Sequence, residues 1–215
     1  MSIRFIDTNP RDPSQSVEFD TRLLEQSESA ATPTEWLRLW ECSEPIVVVG
    51  RATNAQQEVY VDRCQRQGIP IVQRPSGGAA VVAGPGCLMY SVILSLEHRP
   101  QLRMIDQAHE FVLGTVARAL RNLDQRVEQS GVSDLTIDNL KFSGNSLRCK
   151  RDHLLYHGTI LYDFRLEQIS ELLRMPPRQP DYRQQRDHES FVMNFPATAN
   201  QIQVALKNEW LGSAT

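Results

Sequence analysis

The chain has 215 residues, 40% of them hydrophobic, which is enough to close one substantial core and too few for two large independent ones. Residues 1–215 are therefore expected to form a single domain. The formal net charge of −3 provides no overall positive field, which argues against a general nucleic-acid or anionic-membrane binder.

The opening Met1-Ser2-Ile3-Arg4-Phe5-Ile6-Asp7 lacks the apolar core of a signal peptide. No later run approaches the roughly 18 apolar residues of a membrane span, so a cytoplasmic protein is expected. The polar, turn-rich stretch from Asn9 to Ser16 reads as a leading loop, and Phe19 to Leu24 as the start of a helix. Trp36, Leu37, Leu39 and Trp40 lead into Pro45-Ile46-Val47-Val48-Val49-Gly50, a β-branched run that reads as a buried strand. A helix is expected near Gln57 to Gly68. A strand over Pro70 to Gln73 then enters a glycine turn, and Cys87 to Leu96 is apolar enough for an interior strand.

Ile105, Ala108, Val112, Val116, Ala119 and Leu123 recur at three- and four-residue steps, which places them on one helical face with Arg118 and Arg121 outside it. Asp134-Leu135-Thr136-Ile137 and Leu140-Lys141-Phe142 flank Asp138-Asn139, two residues that tolerate positive φ, and this is a hairpin pattern. Tyr156 to Tyr162 predicts a strand, while Arg165 to Arg174 and Asn200 to Leu211 carry helical spacing. Hairpin-joined strands with helices grouped outside them predict an α+β fold, a mixed and largely antiparallel sheet backed by helices.

The turn Ser76-Gly77-Gly78 lacks bulky side chains, so its backbone N–H groups can approach an anion closely, with Arg74 placed to add a forked charge. An ordinary turn between strands has the same composition. No Gly-Lys-Ser/Thr follows, so it is not a Walker loop, and a strand rather than a helix comes next, so it is not a dinucleotide fingerprint. Lys141, followed by Ser143-Gly144, could direct an ammonium into the same cavity, although strand lysines are commonly solvated. Asp134 could hold Mg2+ or begin a turn. His157-Gly158-Thr159 offers a donor beside a position with no side chain, Arg51 and Asn54 could bind a ligand or cap a helix, and Tyr182-Arg183 with Arg186-Asp187-His188 could clamp a phosphate or pair locally.

Taken in order, these segments resemble the lipoate-protein ligase A family, within the superfamily of biotin/lipoate ligase and octanoyltransferase catalytic domains. The pieces that carry the resemblance are Trp36 to Trp40, Val48-Val49-Gly50-Arg51 with Asn54, Arg74 to Val81, Ser133-Asp134-Leu135, Lys141 to Ser146, and His157 to Leu161. Tyr182-Arg183, Arg186-Asp187-His188 and Phe191-Val192-Met193-Asn194 extend it. The resemblance implies that Lys141 contacts the acyl carbonyl and phosphate of an acyl-adenylate. It also implies that Arg51, Arg74, Ser76, Gly77, Gly78 and Ala79 line the acyl and phosphate site, with Asp134 beside the adenylate and its Mg2+. Ser143, Gly144, His157, Gly158 and Thr159 would belong to the same pocket.

The implied reagents are ATP, Mg2+ and lipoate or octanoate. The implied partners are lipoyl-domain carriers of the 2-oxoacid dehydrogenase E2 or glycine cleavage H type. Two departures stand out: Ala79 occupies the family's third glycine and Ala83 the place of a following histidine. The usual small C-terminal domain is also expected to be absent, so that a separate accessory subunit supplies it or the chain performs only transfer. Two other readings remain open, cysteine-dependent carrier-to-carrier transfer and non-catalytic binding of lipoate or its adenylate. The thiols bear on that choice. Cys42, Cys64, Cys87 and Cys149 form no C-x-x-C pair or zinc pattern, and none falls where octanoyltransferases of this type carry their nucleophile.

Overall fold

The computed structural model describes residues 3–8, 10 and 12–212, so Met1, Ser2, Asn9 and Arg11 of the leading stretch lie outside the described residues. A seven-stranded sheet is built around β6 (Cys87–Ser95), a nine-residue apolar run in which every side chain is buried. β2 (Trp36–Glu41) and β10 (His153–Leu161) flank it, both antiparallel. β1 (Arg4–Ile6) pairs parallel with β2, while β9 (Leu140–Cys149), β8 (Asp134–Ile137) and β7 (Glu128–Ser130) continue beyond β10.

β6 is apolar on both sides because both faces of this sheet are covered. On one face α4 (Ile105–Arg121) and α6 (Ala199–Leu211) pack Val112, Val116 and Leu206 against Leu88, Tyr90, Val92 and Leu94. On the other, α1 (Pro13–Ser29) lays Leu23 and Leu24 over Ile93 and Leu155. Beside α1 sits a three-stranded sheet, β4 (Ile71–Gln73), β3 (Ile46–Val49) and β5 (Val81–Ala83), with β3 central, parallel to β4 and antiparallel to β5. Its Val47, Val48 and Val82 meet Trp40, Met89 and Leu161 of the large sheet, and α5 (Glu167–Leu172) adds Ile169 and Leu172 to the same cluster. Each such side chain, fully buried, contributes roughly 1.5–3 kcal/mol. The fold is α+β, with a largely antiparallel sheet backed by helices.

Four local expectations need correction. The first helix begins at Pro13 rather than near Phe19, because Asp12 caps it by accepting from the Ser14 N–H at 2.9 Å and proline suits a first helical position. Trp36 to Glu41 is itself a strand. The helix expected over Gln57 to Gly68 is two, α2 (Ala55–Glu58) and α3 (Val61–Gln67), broken where extended Val59 bridges Leu173. On α4, Ala108, Val112, Val116 and Ala119 are buried as expected, but Ile105 at its first turn and Leu123 beyond its end are exposed.

Candidate functional site

The glycine loop joins β4 to β5, and its conformation is set by Arg74. That side chain is 8% exposed, and its guanidinium donates to Ser76 Oγ (3.1 Å), to the Val48 carbonyl (3.2 Å), and to the Gly77 and Ala79 carbonyls (2.6 and 2.9 Å). Burial pulls the Arg74 pKa down to about 10, against the opposing charge of Glu58. Four N–H bonds thus go to protein acceptors, and Arg74 acts on the loop before it acts on any ligand. Arg51 supports the loop from behind, its N–H donating to the Ser76 carbonyl at 2.8 Å while its side chain is exposed. Asn54 caps α2 by accepting from the Gln56 N–H at 3.0 Å. Glu58 accepts the Ala80 N–H at 2.7 Å.

Gly78 has φ of 92°, which disfavours any side chain there, whereas Ala79 is outside the left-handed region. An alanine at the third position therefore imposes no backbone strain. Ala83 is fully buried in β5, where it packs with the small sheet's core.

Across the cleft, the hairpin of β8 and β9 brings Lys141 Nζ within 2.8 Å of Asp134 Oδ1. Asp134 Oδ2 accepts the Tyr182 hydroxyl at 2.7 Å, and that contact with burial pushes the Tyr182 pKa up. The Lys141 backbone is clamped on both sides, its N–H donating to the Phe191 carbonyl and its carbonyl accepting from the Met193 N–H, each at 2.9 Å. Both Asp134 oxygens are therefore engaged, and among the described residues no three His, Cys, Asp or Glu converge as metal ligands. The donor set does not build a magnesium site by itself.

β10 supplies the third wall. Successive strand residues face opposite sides, so His157, Thr159 and Leu161 look into the cleft. His157 Nε2 lies 2.6 Å from Ser76 Oγ, and its Nδ1 lies 3.7 Å from Asp20 Oδ2 on α1. Thr159 Oγ1 meets the Gly144 backbone at 3.4 Å. Ser143 is buried and accepts from Asn145 Nδ2 at 3.1 Å; the same nitrogen donates to the Ser133 carbonyl at 2.8 Å. At Gly158 a Cβ would stand 1.8 Å from Asn145 Oδ1 and 2.8 Å from the Tyr90 ring, so any larger residue there requires those side chains to shift.

These walls enclose a cleft of about 990 Å³. Arg74, Gly78, Ala79, Asp134, Lys141, Ser143, Gly144, His157, Gly158 and Thr159 all line it; Ser76 is buried beneath the loop, and Gly77 and Arg51 are exposed outside the lining. One end is apolar, with Val17, Trp40, Val48, Val82, Met89 and Leu161, and the other carries Lys141, Asp134 and Arg178. No cysteine lines it.

Arg183 and Arg186 are largely committed to their own segment. Arg183 donates to the Arg186 carbonyl at 2.9 Å and stacks on Phe191 at 4.5 Å, while Arg186 donates to the Tyr182 and Asn139 carbonyls, each at 3.0 Å. Sequence reasoning missed Asp20, Glu58 and the Tyr182 contact, and gave Asn145 no role beyond its place in the Lys141 to Ser146 motif. For Asp20 a signal exists: it falls on the stripe Val17, Leu23, Leu24 and Ser27, an acid where α1 is otherwise buried.

A family profile described as the lipoyl protein ligase A/B catalytic domain matches residues 12–207. The lipoate-protein ligase LplJ of Bacillus subtilis is 28% identical over 145 residues, 66% of this chain but 42% of that protein, so the match spans about two fifths of the relative's length. The octanoyltransferase LipM of Halalkalibacterium halodurans is 22% identical over 95% of this chain and 84% of that protein. In fold, the chain is similar to the bipartite lipoate protein ligase of Thermoplasma acidophilum, solved in a study of that ligase and its E2 lipoyl domain. The TM-score is 0.80 at 19% identity, over 97% of this chain and 82% of the other.

Proposed function

The chain belongs to the lipoyl protein ligase A/B catalytic-domain family, and from that premise we propose that it acylates a lysine of a lipoyl carrier domain by way of lipoyl-adenylate or octanoyl-adenylate. One observation carries the reading: the Lys141 ammonium is fixed 2.8 Å from Asp134 in a cleft that is apolar at its far end and contains no thiol. The apolar end suits an acyl tail, and the charged end suits a phosphate.

In the first step the acid's carboxylate attacks the α-phosphorus of ATP and pyrophosphate leaves. In the second the carrier amine attacks the acyl carbon, AMP leaves with the bonding pair, and the amine's proton passes to solvent. Lys141 faces the charge that develops in both steps, a preorganised cation that need not reorient as the reaction proceeds. Magnesium would arrive with the nucleotide phosphates, since Asp134 is already bound by Lys141 and Tyr182.

The cysteine-dependent alternative needs a thiolate at the acyl group. Burial raises the pKa of Cys42 to about 12 and pushes those of Cys64 and Cys87 up as well. Cys149 is half-buried at the end of β9, outside the cleft lining. The thiol positions therefore favour the adenylate route.

The test is to incubate the protein with lipoate or octanoate, ATP, magnesium and an apo-lipoyl domain of the E2 or H type, and to follow the carrier's intact mass. A gain of one acyl group is expected, and Lys141→Ala is expected to slow it by about 100-fold or more, the scale for removing one preorganised donor. Acylation from an acylated carrier without ATP, with none from free acid and ATP, would overturn the adenylate route.

A further inference from the structure

We propose that Asp20 is a positioning residue for the glycine loop, acting through His157 and Ser76. Asp20 is 2% exposed on α1, and its Oδ1 accepts from Arg38 Nη1 at 2.7 Å. Its Oδ2 accepts the Ser91 hydroxyl and faces His157 Nδ1 at 3.7 Å. Arg38 is completely buried, donates to the Ser16 and Thr8 carbonyls, and lies between the Phe19 and Trp40 rings at 4.6 Å from each.

A buried ion pair contributes little net stability over an apolar pair of the same size. What this one supplies is a fixed negative charge behind the imidazole. Burial disfavours the Asp20 carboxylate, but the His157 contact, the Arg38 charge and the Ser91 hydroxyl outweigh it and hold its pKa below the usual value. Arg38, Ser91 and His157 occupy matched positions on three neighbouring strands, β2, β6 and β10, so the three groups that face the Asp20 carboxylate lie in one row of the large sheet.

A carboxylate facing Nδ1 selects the tautomer that carries its proton there. Nε2 is then an acceptor, and the Ser76 hydroxyl at 2.6 Å donates to it. With its proton so directed, Ser76 Oγ turns a lone pair to Arg74 Nε at 3.1 Å, and Arg74 holds the Gly77 and Ala79 carbonyls. In the opposite tautomer the Nδ1 lone pair would face the carboxylate, and Ser76 Oγ would receive two donors while its own proton lost its acceptor. Asp20 therefore acts through His157 and Ser76, and Arg74 passes the constraint to the Gly77 and Ala79 carbonyls. What the loop is positioned to hold rests on the proposed acyl-adenylate reading; the relay does not.

Nitrogen-15 NMR of the whole chain, without carrier or nucleotide, tests the relay. Wild-type His157 is expected to show a protonated Nδ1 and a bare Nε2; an Nε2–H tautomer would overturn the proposal. In Asp20→Asn the ring is expected to move toward Nε2–H, the Gly77 and Gly78 amide resonances to shift, and lipoate affinity by calorimetry to fall by about tenfold, the scale of one hydrogen bond lost from the loop. A changed tautomer with unmoved glycine amides overturns the coupling. Should Asp20→Asn not fold, Ser91→Ala keeps the Arg38 pair and removes one donor to Asp20. Smaller shifts in the same direction support the relay, and none overturns it. If wild type binds neither lipoate nor octanoate while these shifts appear, the acyl-site reading falls and the positioning role stands.

Discussion

Lys141 takes its meaning from its neighbours. A lysine on a strand is ordinarily solvated, but this one is 28% exposed in its side chain, paired with Asp134, and Asp134 is in turn held by Tyr182 from 48 residues away. Removing the hydroxyl with Tyr182→Phe frees one Asp134 oxygen and leaves Lys141 to a looser partner. The carrier-acylation rate constant is expected to fall about tenfold, the scale of one charge-assisted hydrogen bond, with lipoate affinity little changed; an unchanged rate would show that Lys141 is held without Tyr182. Gly158 makes a steric case of the same kind. Alanine there would press its Cβ to 1.8 Å from Asn145 Oδ1 and 2.8 Å from the Tyr90 ring. Overpacking of this sort costs about 1–3 kcal/mol, and loss of the 2.5 Å bond from Tyr90 to Asn145 adds to it. Urea unfolding of Gly158→Ala should show a clearly lower midpoint, and an unchanged midpoint would mean that Asn145 can move away without penalty. The order of Arg74, Asp134, Lys141 and His157 was readable in the sequence. Tyr182 bonding to Asp134 was not, because no local pattern encodes a contact between segments so far apart.

Where local chemistry decides an element, the sequence reading and the structure agree closely. Asp138 and Asn139 have φ of 50° and 61°, as the hairpin between β8 and β9 requires, and Ile137 pairs with Leu140 across the turn. This turn pairs Thr136 with Lys141, and a register shift between Leu135 and Thr136 then sets Asp134 opposite Gly144, so turn and bulge together bring Lys141 to Asp134. Asn139→Val places a β-branched residue in the left-handed region, at a cost of about 1–3 kcal/mol. Thermal unfolding should show a lower Tm, and acylation should weaken beyond what the stability loss explains. A normal Tm would indicate that the hairpin has another way to turn. Where tertiary contacts decide, the reading fell short. Val59 interrupts an otherwise helical run because its strand-like bridge to Leu173 and the Tyr60 N–H bond to the Leu172 carbonyl at 2.8 Å draw it into extended form. The glycine loop was legible as a turn between strands, but its anchoring by Arg74, Glu58 and the Arg51 backbone was not, since those partners converge only once the small sheet forms.

At the scale of the molecule the cleft is the space between two sheets, and no segment contains it. Sequence patterning indicated strands covered on both faces, yet not that β3, β4 and β5 leave the large sheet to make a second one. Buried and partly buried ionisable groups on the two faces of the large sheet set the response to acid. His109 contacts the Tyr156 hydroxyl at 2.9 Å, and burial lowers its pKa from 6.5. Burial also lowers the pKa of His188, aided by the Arg183 charge and against its bond to the Arg174 carbonyl. For both, the unfolded chain binds more protons than the folded one below the ordinary histidine value, so stability rises with pH across that window and is lost as pH falls through it. Asp20 adds a second, lower step. Its folded pKa lies below 3.8, so its contribution is intact above that value and disappears as pH falls through the depressed one. Tm followed from pH 8 to 3 should therefore begin to fall near pH 6.5, the unfolded histidine value. It should fall again below 3.8, where the unfolded aspartate starts to gain its proton. His109→Gln should flatten the first decline without moving the second. A Tm constant between pH 7 and 5 in the unaltered protein would show that neither histidine is held neutral by its surroundings.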